Sequence, residues 1–411
     1  MRKIVTQNIL IMVLSKGLSF GLFLYIAKQL SELQYGNYIY IAMVLSLLPL
    51  FQFGSRHGAT VLLPKAIAKK DDSDTSVFTN YNNVSLLIQF FSGCLLVAID
   101  LDVGIRTIAI IALTFWVMKY VENAQLLLNS NLKLESSNFI KAVDQILRPV
   151  ITFAFFSYFN TLESIFWGQF VSVCFAFIVS LVYLPLNLSF CLNKKLLKQL
   201  YRVGFFIYLI WATDLVFRTA DRWFISQFYS KSELASYGFA SSFANNIWLL
   251  CLALIAPYAQ LLYKQVAEGD FESVKKLVEN TNKKIYILVG ITSLAVAITY
   301  PFITTYILDK YTETYFLALV LVLVSVFLSI NNMYIYYMNI NNLHFTLLKC
   351  QSIVLVVNLT LNAYIAFRHL DTIYFGLSTA VSLILYFILV QYSYERNLKL
   401  KLDQGSRGSG V

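Results

Sequence analysis

The chain has 411 residues, 58% of them hydrophobic and 13% charged, with a mean hydropathy of +0.66 and a net charge of +10. Soluble proteins carry about 25% charged residues. This chain therefore lacks the polar surface to cover a water-soluble fold of its length, and a soluble enzyme or regulator is excluded.

Apolar segments long enough to cross a bilayer, about 20 residues each, follow one another along the chain. They fall at roughly 8–28, 37–55, 81–99, 105–128, 138–158 and 161–185. After a basic stretch they resume at roughly 204–226, 236–262, 284–307, 313–339, 346–368 and 371–393. Continuous apolar runs mean helices, since barrel strands alternate over about 10 residues. The expectation is an all-α integral membrane protein of about twelve transmembrane helices.

The first segment follows Arg2 and Lys3 as a signal peptide would, but it is too long for one and carries Lys16, so it reads as a retained helix. Pro49, Pro149 and Pro257 read as kinks. The polar stretch Tyr263–Lys284 reads as a short amphipathic surface helix, and the end DQGSRGSGV as an irregular tail. The five cysteines, Cys94, Cys174, Cys191, Cys251 and Cys350, are scattered, and no Cys/His cluster exists. Neither a disulfide nor a metal is expected.

The Lys/Arg distribution sets the orientation. With the N-terminus inside, the inner loops receive twenty-one basic residues, including Arg56, Lys65, Lys69, Lys70, Lys194, Lys195 and Lys275, and the outer loops five. Both termini are expected in the cytoplasm. This bias accounts for the net charge without a nucleic-acid partner.

The halves are similar at a constant offset of 199 residues. Ile26 lies over Ile225, Ser31 over Ser230, Tyr38 over Tyr237, Lys65 over Lys264, Asp71 over Asp270 and Asn83 over Asn282. Six helices per repeat make the halves two parallel six-helix bundles, residues 1–200 and 201–395, with 396–411 as a cytoplasmic tail. Such repeats build transporters.

Charged residues inside the segments are costly, about 3 kcal/mol each at mid-bilayer, so they should face a cavity or a partner. The seventh segment carries Asp214, Arg218, Asp221 and Arg222 on one helical face; the fifth carries Lys141, Asp144 and Arg148. The fourth adds Lys119 and Glu122, and the first adds Lys16. One reading makes these structural ion pairs: Asp214 with Arg218, Asp144 with Lys141 or Arg148, Lys119 with Glu122, and Asp221 with Arg222. The functional reading rests on their sum, six cations against four acids. A positive interior suits a phosphate or carboxylate ligand. An anionic headgroup would be bound chiefly by Lys16, Arg148 and Arg218, with Lys119, Lys141 and Arg222 nearby. Asp144, Asp214, Glu122 and Asp221 would pair with them or carry a coupling proton or sodium ion; no other cofactor is expected.

The segments NILIMVLSKGLSFGLFLYIAKQLSELQYGNYIYI and FFIYLIWATDLVFRTADRWFISQFYSKSELASYGFA resemble the polysaccharide (O-antigen) flippases of the multidrug/oligosaccharidyl-lipid/polysaccharide (MOP) exporter superfamily. In that family a long helix leads through an LS…YGxY-like outer turn to a second helix. Leu30-Ser31, Tyr35-Gly36 and Tyr38 match it; in the second half Ala235 stands where glycine is expected. The resemblance implies a flippase that carries polyprenyl-diphosphate-linked oligosaccharide across the bacterial cytoplasmic membrane by alternating access. It would serve O-antigen, lipopolysaccharide or capsule biosynthesis beside other polysaccharide-assembly membrane proteins. A MATE-like drug/cation antiporter of the same fold is the nearest rival, though cationic substrates suit an acidic cavity better. A membrane glycosyltransferase or polymerase of the same pathway is the other, disfavoured because the outer loops are short.

Overall fold

The computed structural model describes residues 2–68, 73–98, 103–184 and 193–408; Lys69, Lys70, Asp71 and Cys191 lie outside them. The described residues form α-helices and two short 3-10 turns, with no strand. The helices are α1 (Arg2–Gln29), α2 (Glu32–Leu47), α3 (Ser55–Ala68), α4 (Ser73–Ala98), α5 (Ile105–Ser130), α6 (Leu134–Phe159) and α7 (Leu162–Tyr183). They continue as α8 (Lys194–Phe228), α9 (Lys231–Glu268), α10 (Phe271–Tyr306), α11 (Tyr315–Ile340), α12 (His344–Phe367) and α13 (Ile373–Gly408).

The described residues hold thirteen helices where twelve segments were expected, because a further helix, α3, forms in the stretch after the second segment that was expected to be an inner loop. After α2 the chain makes a 3-10 turn over Leu48–Gln52, entered at Pro49, and then two left-handed residues, Phe53 and Gly54. Proline's missing N–H and Gly54's freedom at φ +92° let the backbone restart as α3. α6 runs unbroken through Pro149, and α9 through position 257. Of the three prolines expected to kink a helix, Pro49 is the one that interrupts helical structure.

The chain divides into two compact units, Met1–Leu209 and Ile210–Val411, and the division falls inside α8. In the first unit α6 packs along α7 and α1, and α5 against α4 and α7. In the second, α11 packs against α9 and α13, and α12 against α13.

Seven described stretches are long and apolar enough to cross a membrane, among them Leu162–Tyr183, His344–Phe367 and Phe271–Tyr306. α10 shows how the chain meets lipid. Its exposed face reads Tyr286, Ile287, Ile291, Leu294, Ile298, Phe302 and Tyr306, all 48–78% accessible, at steps of three and four from Ile287 onward. Twenty residues of helix rise about 30 Å, the thickness of a hydrocarbon core. A tyrosine closes each end, as interfacial aromatics do, and Lys283 and Lys284 follow at once beyond Tyr286.

The polar stretch Tyr263–Lys284 is no separate surface helix. α9 runs to Glu268, Gly269 turns left-handed at φ 74°, and Asp270 caps α10 by accepting the Ser273 N–H at 3.0 Å. Hydrogen bonds from Ser273 also hold the Asp270 carboxyl below its ordinary range. The expected irregular tail likewise continues α13 as helix through Gly408.

Candidate functional site

In the first unit, α5 and α6 carry the charges. Lys119 on α5 has 5% side-chain exposure and donates to Glu122 Oε2 at 3.0 Å, one helical turn along. The same oxygen accepts from Arg56 Nη1 at 2.7 Å. Arg56, expected in an inner loop, thus sits at the start of α3 and adds a second cation to this carboxylate. The break at Phe53–Gly54 puts it there.

That start of α3 is pinned by backbone contact with the N-terminal part of α8. A Cβ on Gly58 would meet Leu200 O at 2.0 Å, and one on Gly204 would meet Gly54 O at 2.0 Å. The Tyr208 hydroxyl donates to Leu50 O at 2.8 Å beside them.

On α6, Arg148 donates through Nη2 to Asp144 Oδ1, one turn back, and through Nη1 to Met118 Sδ at 3.5 Å. Asp144 pairs with Arg148 and not with Lys141. Lys141 lies on α6, which packs along α1, the helix that carries Lys16. Neither lysine has an acid within ion-pair distance among the described residues. Both are partly buried. An ammonium group in a membrane interior is costly without a counter-charge.

A cavity of about 330 Å³ opens within this unit between α2, α5, α6 and α7. Ser46, Thr114, Phe115, Phe166, Gln169 and Arg148 line it.

In the second unit one acid and one base close on each other. Arg218 donates to Asp214 one turn away on α8, and its guanidinium lies 4.5 Å from the centre of the Trp248 ring. Asp214, Phe217, Gln351 and Tyr386 line a small cavity of about 20 Å³. Asp221 does not pair with the Arg222 side chain, as one sequence reading had it. It is buried, accepts from the Tyr237 hydroxyl and receives the Arg222 backbone N–H at 2.7 Å. The Arg222 guanidinium turns instead to the Arg218 carbonyl, at 3.0 Å. Consecutive helical residues point about 100° apart, so adjacent charges seldom meet.

No group of three or more His, Cys, Asp or Glu stands together as a metal site among the described residues. Each unit carries its own set of charged residues. The first unit holds Arg56, Lys16, Lys119, Lys141 and Arg148 against Glu122 and Asp144, and the second holds Arg218 and Arg222 against Asp214 and Asp221.

No family model and no curated protein sequence matches the chain. Solved structures do. An inward-facing multidrug resistance MATE family transporter of the MOP superfamily has a TM-score of 0.71 at 12% identity, over 95% of each chain. An outward-facing one has a TM-score of 0.67 at 11% identity, over 98% of this chain and 96% of that one. A MOP superfamily transporter from Pyrococcus furiosus, described as having a binding pocket of reversed polarity that suggests a different function, has a TM-score of 0.65 at 12% identity, over 97% and 96%. At such identities the likeness concerns the fold alone, and the fold is that of MATE and MOP transporters. The chain is a multi-pass, all-helical membrane protein of this architecture.

Proposed function

We propose that this protein is a flippase that moves a polyprenyl-diphosphate-linked oligosaccharide from the inner to the outer leaflet of a bacterial cytoplasmic membrane. One observation carries the reading: in the first unit Lys16 and Lys141, on the packed helices α1 and α6, have no acid within ion-pair distance among the described residues, while Asp144 and Glu122 are taken by Arg148, Lys119 and Arg56. Unpaired ammonium groups in a low-dielectric interior call for an anion. A lipid-linked diphosphate supplies one, and it is also the part of such a substrate that hydrocarbon rejects most.

On this reading Lys16 and Lys141 take the diphosphate, and the prenyl chain stays in lipid. Arg148 and Arg218, already neutralised by Asp144 and Asp214, are weaker anchors than their charge alone implies. Asp144, Glu122 and Asp214 each hold a base. A proton or sodium ion taken up there would free a cation for the substrate, which would couple an ion gradient to transport. Both termini lie in the cytoplasm by the distribution of basic residues.

The test is a deletion strain assayed for lipid-linked oligosaccharide and surface polysaccharide. Accumulation of inner-leaflet polyprenyl-diphosphate oligosaccharide with loss of surface polymer is the expected result. The second unit's balanced charges and its aromatic Trp248 and Tyr386 favour the rival reading, a drug/cation antiporter. Normal surface polymer with new sensitivity to cationic drugs would establish that rival and overturn ours.

A further inference from the structure

The cavity between α2, α5, α6 and α7 is far larger than a water needs and lies at the small end of ligand sites. It suits one ring with its substituents rather than a chain of them. Its polar atoms define the ligand's chemistry. Arg148 has five N–H donors in a fixed fork. One goes to Asp144, one goes to the weak acceptor Met118 Sδ, and Nε is buried with no hydrogen-bond partner. Arg148 is partly exposed and shares its charge with Asp144, but its two Nη groups carry more hydrogens than Asp144 and Met118 take up, and at the cavity wall these suit a ligand acceptor, best an anionic one.

The two hydroxyls ask for the opposite. Ser46 Oγ donates to Met43 O at 2.7 Å, and Thr114 Oγ1 donates to Ile110 O at 2.7 Å. Their hydrogens are spent on the helix backbone, so toward the cavity they only accept. The ligand must therefore also carry O–H or N–H donors. Gln169 offers a carboxamide that serves in either role. Phe115 and Phe166 supply apolar faces of the kind on which the C–H face of a pyranose packs.

These requirements exclude the other occupants in turn. A fatty acid has no donors for Ser46 and Thr114. Free phosphate leaves the aromatic walls unused. A cationic drug meets the Arg148 guanidinium. We propose that this cavity is a subsite for a single anionic sugar residue, its acid on Arg148, its hydroxyls on Ser46 and Thr114, and its ring against Phe115 and Phe166. The choice of a sugar rests on the flippase reading; the anion and the donors rest on the cavity. The acid has two sources of shared chemistry, the carboxylate of a uronic acid within the oligosaccharide or the phosphate on its first sugar.

The test uses the purified full-length protein in detergent, its thermal unfolding followed with glucuronate, glucose 1-phosphate or glucose at about ten times the apparent Kd. Glucuronate or glucose 1-phosphate should raise Tm by about 2 °C or more, and glucose should not; which anion acts identifies the source. Arg148→Gln should abolish the shift. Should that variant fail to fold, Ala42→Phe decides, because it fills the cavity from its edge and leaves every charge in place. The proposal is overturned if neither anion stabilises the wild type, if glucose acts equally, or if the shift survives Ala42→Phe. Such a failure leaves the flippase reading intact, since that is judged on the deletion strain's lipid-linked pool. Conversely, binding retained in a protein whose deletion leaves the pool unchanged would make the subsite one for a free sugar acid.

Discussion

The two units open with the same hairpin and then diverge in their charges. Ser31 caps α2 and Ser230 caps α9, each in a reciprocal capping box closed by the residue three further on, Gln34 or Glu233. Ile26 and Ile225 are buried at matching positions on the helix before. At the same offset of 199, however, Asp214 and Arg218 face Ser15 and Ser19, and Leu215 faces Lys16. The second unit places an acid and a base four residues apart, and they satisfy one another. The first places an ammonium with no acid on its own helix and a second ammonium on the helix beside it. The turn chemistry that makes the hairpin is repeated; the charge that would meet a ligand is not. On the flippase reading, fold and selectivity reside in different positions of the two halves.

The strongest test of the comparison uses glycines. Gly58→Ala places a Cβ 2.0 Å from Leu200 O, backbone against backbone, and should cost more than about 3 kcal/mol, leaving little folded protein on size-exclusion chromatography. Gly290→Ala on α10 meets nothing within 4 Å and should be neutral or gain up to about 1 kcal/mol from helix propensity. Equal behaviour of the two would remove the α3–α8 contact as a feature of the first unit.

Next is Glu122. Glu122→Gln leaves Lys119, with 5% of its side chain exposed, without a counter-charge, and should lower stability by about 2–3 kcal/mol, less than a fully buried pair because Glu122 is 31% exposed. Adding Lys119→Met should recover most of the lost Tm; a double variant no better than the single would mean that Arg56 and not Lys119 depends on the carboxylate.

The charges themselves give the third test. Lys16→Gln with Lys141→Gln should reduce transport at least tenfold, the loss expected from one or two charge-assisted contacts of about 1.5–3 kcal/mol each. Asp214→Asn with Arg218→Gln removes both halves of a closed pair and should cost less. The reverse order would move the anion site into the second unit. The smallest effects are the caps: Ser31→Ala and Ser230→Ala should each cost about 1 kcal/mol and match within error, which thermal unfolding of the two variants compares directly.

Much of this was legible in the sequence, and the misses have physical causes. The helical segments followed from composition. Three pairs, Asp214–Arg218, Asp144–Arg148 and Lys119–Glu122, followed from steps of three and four along a helix. The pairing of Arg56 with Glu122 was missed because the apolar run through Leu47–Phe53 hides a break made by backbone dihedrals, and only Pro49 and Gly54 hint at it. The Asp221–Tyr237 bond crosses from one helix to the next and has no local signature, although Asp221 and Arg222 as neighbours should have been recognised as facing apart. The isolation of Lys16 and Lys141 depends on which helices touch, which periodicity does not report.

The exposed ribbon on α10 has a consequence for how the protein is handled. Its two tyrosines act as a ruler of about 30 Å, fixed at both ends by groups that prefer the headgroup layer. In a bilayer much thinner or thicker, this helix must tilt or pull lipid toward it, at a cost of fractions of a kcal/mol per ångström. Reconstitution in lipids of graded chain length should therefore show an optimum in stability near that thickness.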